Sequence, residues 1–406
     1  MKKIHISLIA LPFAMFWPMA ILPKTMQLGL FLLLAIRLVM KYGITSKCNG
    51  FEICQLFYLL IYFLAGMLSV ANGQHNSDRV LATLNTIAIN CLGLLYFHIY
   101  RTSSIKESEY NKIYKYSFIN LAILILLYIT FACTNLLRNI VISGNSICAV
   151  DYVSGGTGIR FNGFLSYSNM VVFTVLFFYP LSLKHLNNKK LLSLLLSITL
   201  CFVIKAAHSR SGVIIYLALL VIYIVCGNQE AIFRVLKKRK SLVLGGGFAL
   251  LIGIVILRED ALLKIINKVL FMRVGSNSMR IYIYTESIRK MLTQSPLLGM
   301  GIKDMTEYGY PYGSHSTYIG VFYKAGILGG IVYVISILMA TTNIIKKHSK
   351  NSCTLMVKLS LIAILVLMII EDIDGTNWSM ILFNISLAFF YSRHNLSEKF
   401  NLNRIR

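Results

Sequence analysis

Residues 53–71 of this chain, ICQLFYLLIYFLAGMLSVA, form a stretch of nineteen positions without a charged side chain. A helix of about 20 apolar residues spans the hydrocarbon core of a bilayer and satisfies its own backbone hydrogen bonds there. Similar runs recur along the chain, which is 57% hydrophobic and 14% charged, whereas soluble proteins carry about 25% charged residues. The sequence predicts an all-α polytopic membrane protein and excludes a soluble domain, a disordered chain and a disulfide scaffold.

Twelve apolar runs are candidate membrane spans. The first is interpreted as an uncleaved span rather than a signal peptide, and together they predict a single integral membrane domain over residues 1–406. Their approximate bounds are 4–22, 26–40, 51–72, 80–99, 115–136, 165–183, 190–206, 211–226, 241–257, 317–341, 353–371 and 376–392.

The distribution of Lys and Arg predicts the orientation. The chain has 40 of them against 15 Asp and Glu. With the N-terminus inside, 23 basic residues fall on cytoplasmic segments and six on the short outer loops, as the positive-inside rule requires. Both termini are therefore expected in the cytoplasm, and the excess charge needs no nucleic acid. The outer face would carry a large loop, 258–316, and a Gly- and Ser-rich loop, 137–164, expected to be irregular.

Four residues on the predicted outer face could carry chemistry: Arg160, Arg210, Arg280 and His315. Each has a plainer interpretation, because an arginine at a membrane boundary often contacts lipid phosphate and a lone histidine can cap a helix. If they converge, however, the arginines could bind a phosphate group bidentately and the histidine could accept a proton. Such a set suits a reaction with a phosphate leaving group and a hydroxyl acceptor.

The segment 279–294 has the pattern of an amphipathic helix that ends near Pro296, with Arg280 at the edge of its apolar strip. Lying on the outer membrane face, this helix would hold Arg280 at the level of lipid phosphates. The alternative is a structural lid without chemistry. The predicted apolar face consists of Ile281, Tyr284, Ile288, Met291 and Leu292.

Several short motifs resemble the O-antigen polymerase/ligase superfamily of bacterial envelopes over roughly residues 190–345. A weaker similarity runs from Arg160 to Asn169. The chain departs from the family pattern at two positions, where it has Ser316 after His315 and Ser168 before Asn169. The motifs are His208-Ser-Arg-Ser-Gly212, Met279-Arg280, Ser295-Pro-Leu-Leu-Gly-Met-Gly301, Gly313-Ser-His-Ser-Thr-Tyr318 and Gly326-Ile-Leu-Gly-Gly330.

The resemblance implies a GT-C-like glycosyltransferase of the bacterial inner membrane that needs no metal or other cofactor. Its substrate would be an undecaprenyl-pyrophosphate-linked oligosaccharide within the lipid bilayer, its active site would be periplasmic, and a separate protein would regulate chain length. Arg210 and Arg280 would hold the pyrophosphate, with Arg160 as a further substrate ligand. His315 would be the base, and His208 competes for that role. The sequence motifs around His315 resemble those of O-antigen polymerases more than those of ligases. A ligase that transfers the glycan to lipid A–core is the alternative.

Two other interpretations stay open. The acidic motif Glu371-Asp-Ile-Asp374 could hold Mg²⁺ through its carboxylates, although a solvated turn is favoured. Twelve spans also suit a transporter, such as a flippase for lipid-linked oligosaccharides. Transporters often place ionisable residues within their spans, and Lys324, within the span 317–341, is the basic residue that fits either a transporter or an enzyme.

Overall fold

The computed structural model describes residues 7–73, 75–134, 138–153, 156–186, 189–227, 274–346 and 352–391. These residues form thirteen α-helices and two small antiparallel strand pairs. The helices are α1 Leu11–Ala14, α2 Phe16–Ile21, α3 Lys24–Tyr42, α4 Gly50–Asn72, α5 Ser77–Thr102, α6 Glu107–Cys133, α7 Asn169–Leu186, α8 Lys190–Ala206, α9 Arg210–Gly227, α10 Val274–Gln294, α11 Thr317–Lys346, α12 Ser352–Leu367 and α13 Asn377–Tyr391. The strands are β1 Val141–Ile142, β2 Asn145–Ser146, β3 Cys148–Val153 and β4 Gly156–Phe161.

Six of these helices, α3 to α7 and α11, are long and apolar enough to cross a membrane. Each predicted run contains helix except 241–257, which lies outside the described residues. The first run, 4–22, is divided into the short helices α1 and α2. The prediction of an all-α polytopic membrane protein is confirmed.

The core lies around helices α7 and α13, whose side chains are almost all buried. Phe16 of α2 packs edge-to-face on Phe178 of α7 and Trp378 of α13, with ring centroids 4.7 and 5.0 Å apart. Large apolar side chains such as Leu33 of α3 and Leu60 of α4 are exposed on the outside of the bundle. Apolar side chains on the outside of a helix bundle are expected where lipid replaces water as the solvent.

Polar contacts join the predicted outer segments at one end of the bundle. The Asn377 amide donates to the backbone oxygen of Lys24 at 2.9 Å and accepts from Asn85 at 2.9 Å. Arg79 Nε donates to the backbone oxygen of Lys303 at 2.6 Å. The segments predicted to share the outer face therefore meet at one end, and this end carries the candidate site.

The loop predicted to be irregular, 137–164, contains a hairpin instead, so that prediction is wrong. Strands β3 and β4 pair antiparallel, with Ala149 opposite Arg160. Phe161 at the end of β4 is fully buried, and its ring lies 5.8 and 5.5 Å from those of Tyr128 and Phe131 of α6. This aromatic contact fixes the hairpin on the bundle and places Arg160 beside it.

Helix α11 is kinked at Gly326, whose φ of 63° is in the left-handed region that favours glycine. At the kink the carbonyls of Tyr323 and Lys324 lose their partners within the helix. They accept hydrogen bonds instead from Met300 N at 2.8 Å and Gly301 N at 3.0 Å. A Cβ at Gly326 would clash with the backbone of the Ser295–Gly301 motif. The motif therefore docks against the kink backbone to backbone.

Candidate functional site

Arg280 and Glu371 form the centre of the site. The guanidinium donates to Glu371 Oε1 at 2.8 Å and to the backbone oxygen of Ile370 at 3.1 Å. Asn169, at the start of α7, donates to the same Oε1 at 2.5 Å. Glu371 is only 1% exposed; burial raises the pKa of its carboxyl, and Arg280 opposes that shift. Glu371 and Ile370 thus hold Arg280 in a fixed orientation. The hydrogen bond from Asn169 fixes Glu371 in turn to the start of α7.

Arg160 lies close to this pair, on strand β4. Burial lowers the pKa of its guanidinium, Glu371 and Tyr310 raise it, and Arg280 lowers it. Its Nε is buried without a hydrogen-bond partner. A buried donor that lacks a partner costs about 1–3 kcal/mol, so an anionic group bound here would gain a strong hydrogen bond.

His315 precedes α11 and has a left-handed backbone, with φ 62°. The Tyr284 hydroxyl of α10 donates to its backbone oxygen at 2.5 Å, which ties this conformation to the helix that carries Arg280. Burial lowers the pKa of His315 to about 4, and Arg280 and Lys303 contribute to the shift. The imidazole is therefore neutral near pH 7 and can accept a proton.

Arg210 and His208 lie at the turn that begins α9. Gly212 packs against Val172 of α7, and a Cβ there would clash with it, so the start of α9 lies beside the first turn of α7. His208 is largely exposed; partial burial of its ring, together with the positive charge of Arg160, lowers its pKa. The structure thus brings Arg160 and Arg280 together at Glu371 and holds His315 within electrostatic reach of Arg280. It places Arg210 and His208 on a neighbouring turn.

In the acidic motif Glu371 is buried, and the side chains of Asp372 and Asp374 are only 15% and 8% exposed and are paired with lysines, so the interpretation as a solvated turn is wrong. Lys303 contacts Asp372 at 2.8 Å, and Lys324 of α11 forms an ion pair with Asp374. Burial raises the pKa of Asp372 and the neighbouring Asp374 raises it further, whereas Lys324 holds the pKa of Asp374 below its ordinary value despite burial. These charge pairs join the segment between α12 and α13 to α11 and to the segment that carries Lys303.

Among the described residues, the group with metal-ligand character is Cys48, Glu52 and His98. It lies at the start of α4, at the opposite end of the bundle from Arg160, Arg210 and Arg280. Glu52 already contacts His98 at 2.7 Å, pairs with Arg101 at 2.9 Å and caps α4 through the backbone N–H of Asn49. These contacts account for the carboxylate as a structural group.

Residues 193–334 match the family model described as O-Antigen ligase. This segment contains Arg210, Arg280 and His315. The predicted resemblance to the O-antigen polymerase/ligase superfamily is thus confirmed over this O-antigen ligase-like segment. Arg160 and Glu371 lie outside the segment and reach the site through the fold. Among curated proteins, none matches the chain.

Sequence reasoning misses Glu371, Lys303 and Tyr284 as site residues. Glu371 stands out in the sequence only as a candidate Mg²⁺ ligand, and nothing nearby indicates that Arg280, 91 positions away, is its partner. Asn169 belongs to the weaker family similarity, and its contact with Glu371 supplies a physical reason for an amide there.

Proposed function

We propose that this protein is a glycosyltransferase that polymerises undecaprenyl-pyrophosphate-linked oligosaccharide repeat units of O-antigen or a related surface polysaccharide. The observation that carries the proposal is that Arg280 is paired with the buried carboxylate Glu371, with Arg160 near both of them and the neutral His315 within electrostatic reach of Arg280. Two guanidinium groups suit a pyrophosphate, and the O-antigen ligase-like segment supports lipid-linked glycans as the substrate class.

In the proposed reaction the acceptor sugar hydroxyl attacks the anomeric carbon of the donor glycan. The bond from that carbon to the pyrophosphate oxygen breaks, and its electron pair leaves with the undecaprenyl pyrophosphate. Arg280, Arg160 and Arg210 stabilise the departing negative charge, since preorganised cations do so without rearranging. The hydroxyl proton passes to His315, and a single displacement inverts the anomeric configuration.

The donor itself would improve His315 as a base. A histidine with a pKa of about 4 is neutral but weakly basic, and proton transfer is most effective when the pKa lies near the working pH. Two of the causes of the lowered pKa are the cations Arg280 and Lys303. A pyrophosphate bound beside them would offset their charge and raise the pKa of His315, so the base becomes stronger when the donor is present.

The Arg280–Glu371 pair makes Arg280 a ligand of defined geometry. Two of the five guanidinium N–H groups are used by Glu371 and Ile370, which leaves others for a phosphate. Glu371 therefore acts as a positioning residue for Arg280.

The transporter alternative rests on Lys324 within a span. In the structure the Lys324 ammonium is paired with Asp374, and the carbonyls freed by the kink at Gly326 are bonded to Met300 and Gly301. These groups are satisfied within the protein, which favours a structural role for them over an ion or substrate pathway.

The choice between polymerase and ligase is tested by the surface glycan of a strain that lacks this protein. A polymerase predicts a single repeat unit on the lipid A–core, whereas a ligase predicts bare core. Normal long glycan would contradict both. We further propose that the protein resides in the bacterial inner membrane with its site facing the periplasm, and that a separate chain-length regulator is its partner.

A further inference from the structure

Helix α10 has an apolar stripe that the described residues leave uncovered. Its face toward the bundle includes Ile283, which is fully buried, and Met291, which is 4% exposed. The sequence pattern places Met291 on the same face as the stripe, but the structure separates them. The stripe consists of Ile281, Ile288 and Leu292, which are 64%, 42% and 50% exposed.

The stripe is narrow and straight. With 3.6 residues per turn and a rise of 1.5 Å, Ile281, Ile288 and Leu292 lie within about 40° of one another over about 16 Å of helix. The polar residues Glu286 and Arg289 point elsewhere; they pair with each other at 2.6 Å, and the Arg289 side chain is 67% exposed. The helix therefore has a packed face, a polar face and an open apolar edge between them.

The open apolar edge of α10 continues onto the face of α11 that points away from the bundle. Leu297, just beyond α10, is 59% exposed, and its backbone oxygen accepts from Leu328 N at 3.2 Å. Leu328, Ile331 and Ile335 follow at helical spacing on one exposed row of α11. Because α11 is long and apolar enough to cross a membrane, we expect this exposed row to face lipid, and the stripe extends the same apolar surface toward the end of the bundle.

We infer that the stripe of α10 inserts among the acyl chains of the leaflet at this end of the bundle. An interfacial amphipathic helix buries its apolar side about 5–10 Å into the boundary between head groups and chains. Arg280 directly precedes Ile281, so this anchoring holds the guanidinium at the depth of lipid phosphates while its own face turns toward Glu371. The inference stands on the exposed stripe and its continuity with α11, and it does not require the proposed glycosyl transfer.

Tryptophan fluorescence in nanodiscs with brominated lipids tests this. The two native tryptophans, Trp17 and Trp378, are buried in the bundle and give a constant background. Ile288→Trp in the full chain should be quenched, more by bromines near the head group than by bromines near the chain ends. Leu292→Trp provides a second variant with the same expectation if the first one folds poorly.

Two matched variants calibrate the measurement. Ile335→Trp on α11 should be quenched more strongly by the deep bromines, and Arg289→Trp on the polar face should not be quenched. Quenching at position 288 no greater than at 289 would overturn the inference. In that case red-shifted emission would indicate that the stripe faces water, and blue-shifted emission that another protein surface covers it.

Discussion

At the scale of single residues, Arg280 is distinguished by its two fixed acceptors, Glu371 and the Ile370 carbonyl. A lysine keeps the charge but lacks the planar guanidinium fork, which donates in fixed directions to both acceptors and leaves further N–H groups for a phosphate. Arg280→Lys should therefore lower the rate of glycosyl transfer. Hydrogen bonds to charged groups contribute about 1.5–3 kcal/mol, which corresponds to about 10- to 100-fold in rate.

The control for Arg280→Lys is Arg289→Lys, a change on the same helix at a residue whose side chain is 67% exposed. It should leave transfer unchanged at equal protein abundance. If both variants behave like the wild type, Arg280 has no phosphate-binding role.

His315 should be required for turnover but not for donor binding, because a general base acts mainly in the transition state. His315→Ala should reduce turnover by about 10²–10⁴-fold and leave the affinity for the lipid-linked donor nearly unchanged. His208→Ala is the control, since His208 is exposed and lies on another turn. An active His315→Ala with an inactive His208→Ala would transfer the base role to His208.

The lowered pKa of His315 sets the pH dependence. Its folded pKa of about 4 lies below the ordinary 6.5, so the unfolded chain binds more protons between these values and the neutral residue favours folding as pH rises through that window. The limb of kcat/KM that reports His315 in the free protein should accordingly fall only as pH approaches about 4. A limb near pH 6.5 that disappears in His315→Ala would contradict this assignment.

At the scale of elements, the junction between the Ser295–Gly301 motif and the kink of α11 depends on glycine. Gly326→Ala places a Cβ against the backbone of Leu297 at a positive φ. Strain of this kind costs about 1–3 kcal/mol, so the thermal unfolding temperature in detergent should fall. Gly29→Ala in α3 has open space around it and should be neutral or stabilising. Equal unfolding temperatures for the two variants would show that the close approach is not needed.

Elements can be predicted from sequence where one local pattern decides them. Apolar runs predict α3 to α7 because each helix satisfies its own backbone in lipid. The hairpin β3–β4 escapes prediction because Gly- and Ser-rich segments are typical of irregular loops and of hairpin turns alike. The burial of Phe161 against α6 helps to fix the strand, and that contact has no local signal. The apolar strip of α10 is correct as a pattern, but the pattern does not tell which edge packs and which stays open.

The site shows the same limit more sharply. Arg160, Arg280 and His315 can be selected by residue type and by their predicted common face. The pairing of Arg280 with Glu371 and the positions of Arg160 and His315 near Arg280 cannot, because long-range contacts across helices leave no local signal. A charged residue such as Glu371 is normally expected to be exposed to solvent. Its burial is explained by the hydrogen bonds that it accepts from Arg280 and Asn169.

At the scale of the whole molecule, the count of basic residues predicts that 258–316 and 227–240 lie on opposite sides of the membrane. Met305→Cys, at an exposed position, should react with a membrane-impermeant maleimide in intact spheroplasts. Leu236→Cys, outside the described residues, should react only after permeabilisation. The wild-type chain supplies the blank for the native cysteines, and equal labelling of both variants would contradict the orientation.

Purified protein in nanodiscs tests whether this protein transfers a glycan between lipid-linked repeat units. With undecaprenyl-pyrophosphate-linked repeat units as the only substrate, we expect longer lipid-linked glycan with an inverted linkage, release of undecaprenyl pyrophosphate, and activity that persists in a metal chelator. His315→Ala in the same preparation should lose the product. Folded wild-type protein that leaves the repeat units unchanged, or that extends them no better than His315→Ala does, would contradict the proposed glycosyl transfer by His315.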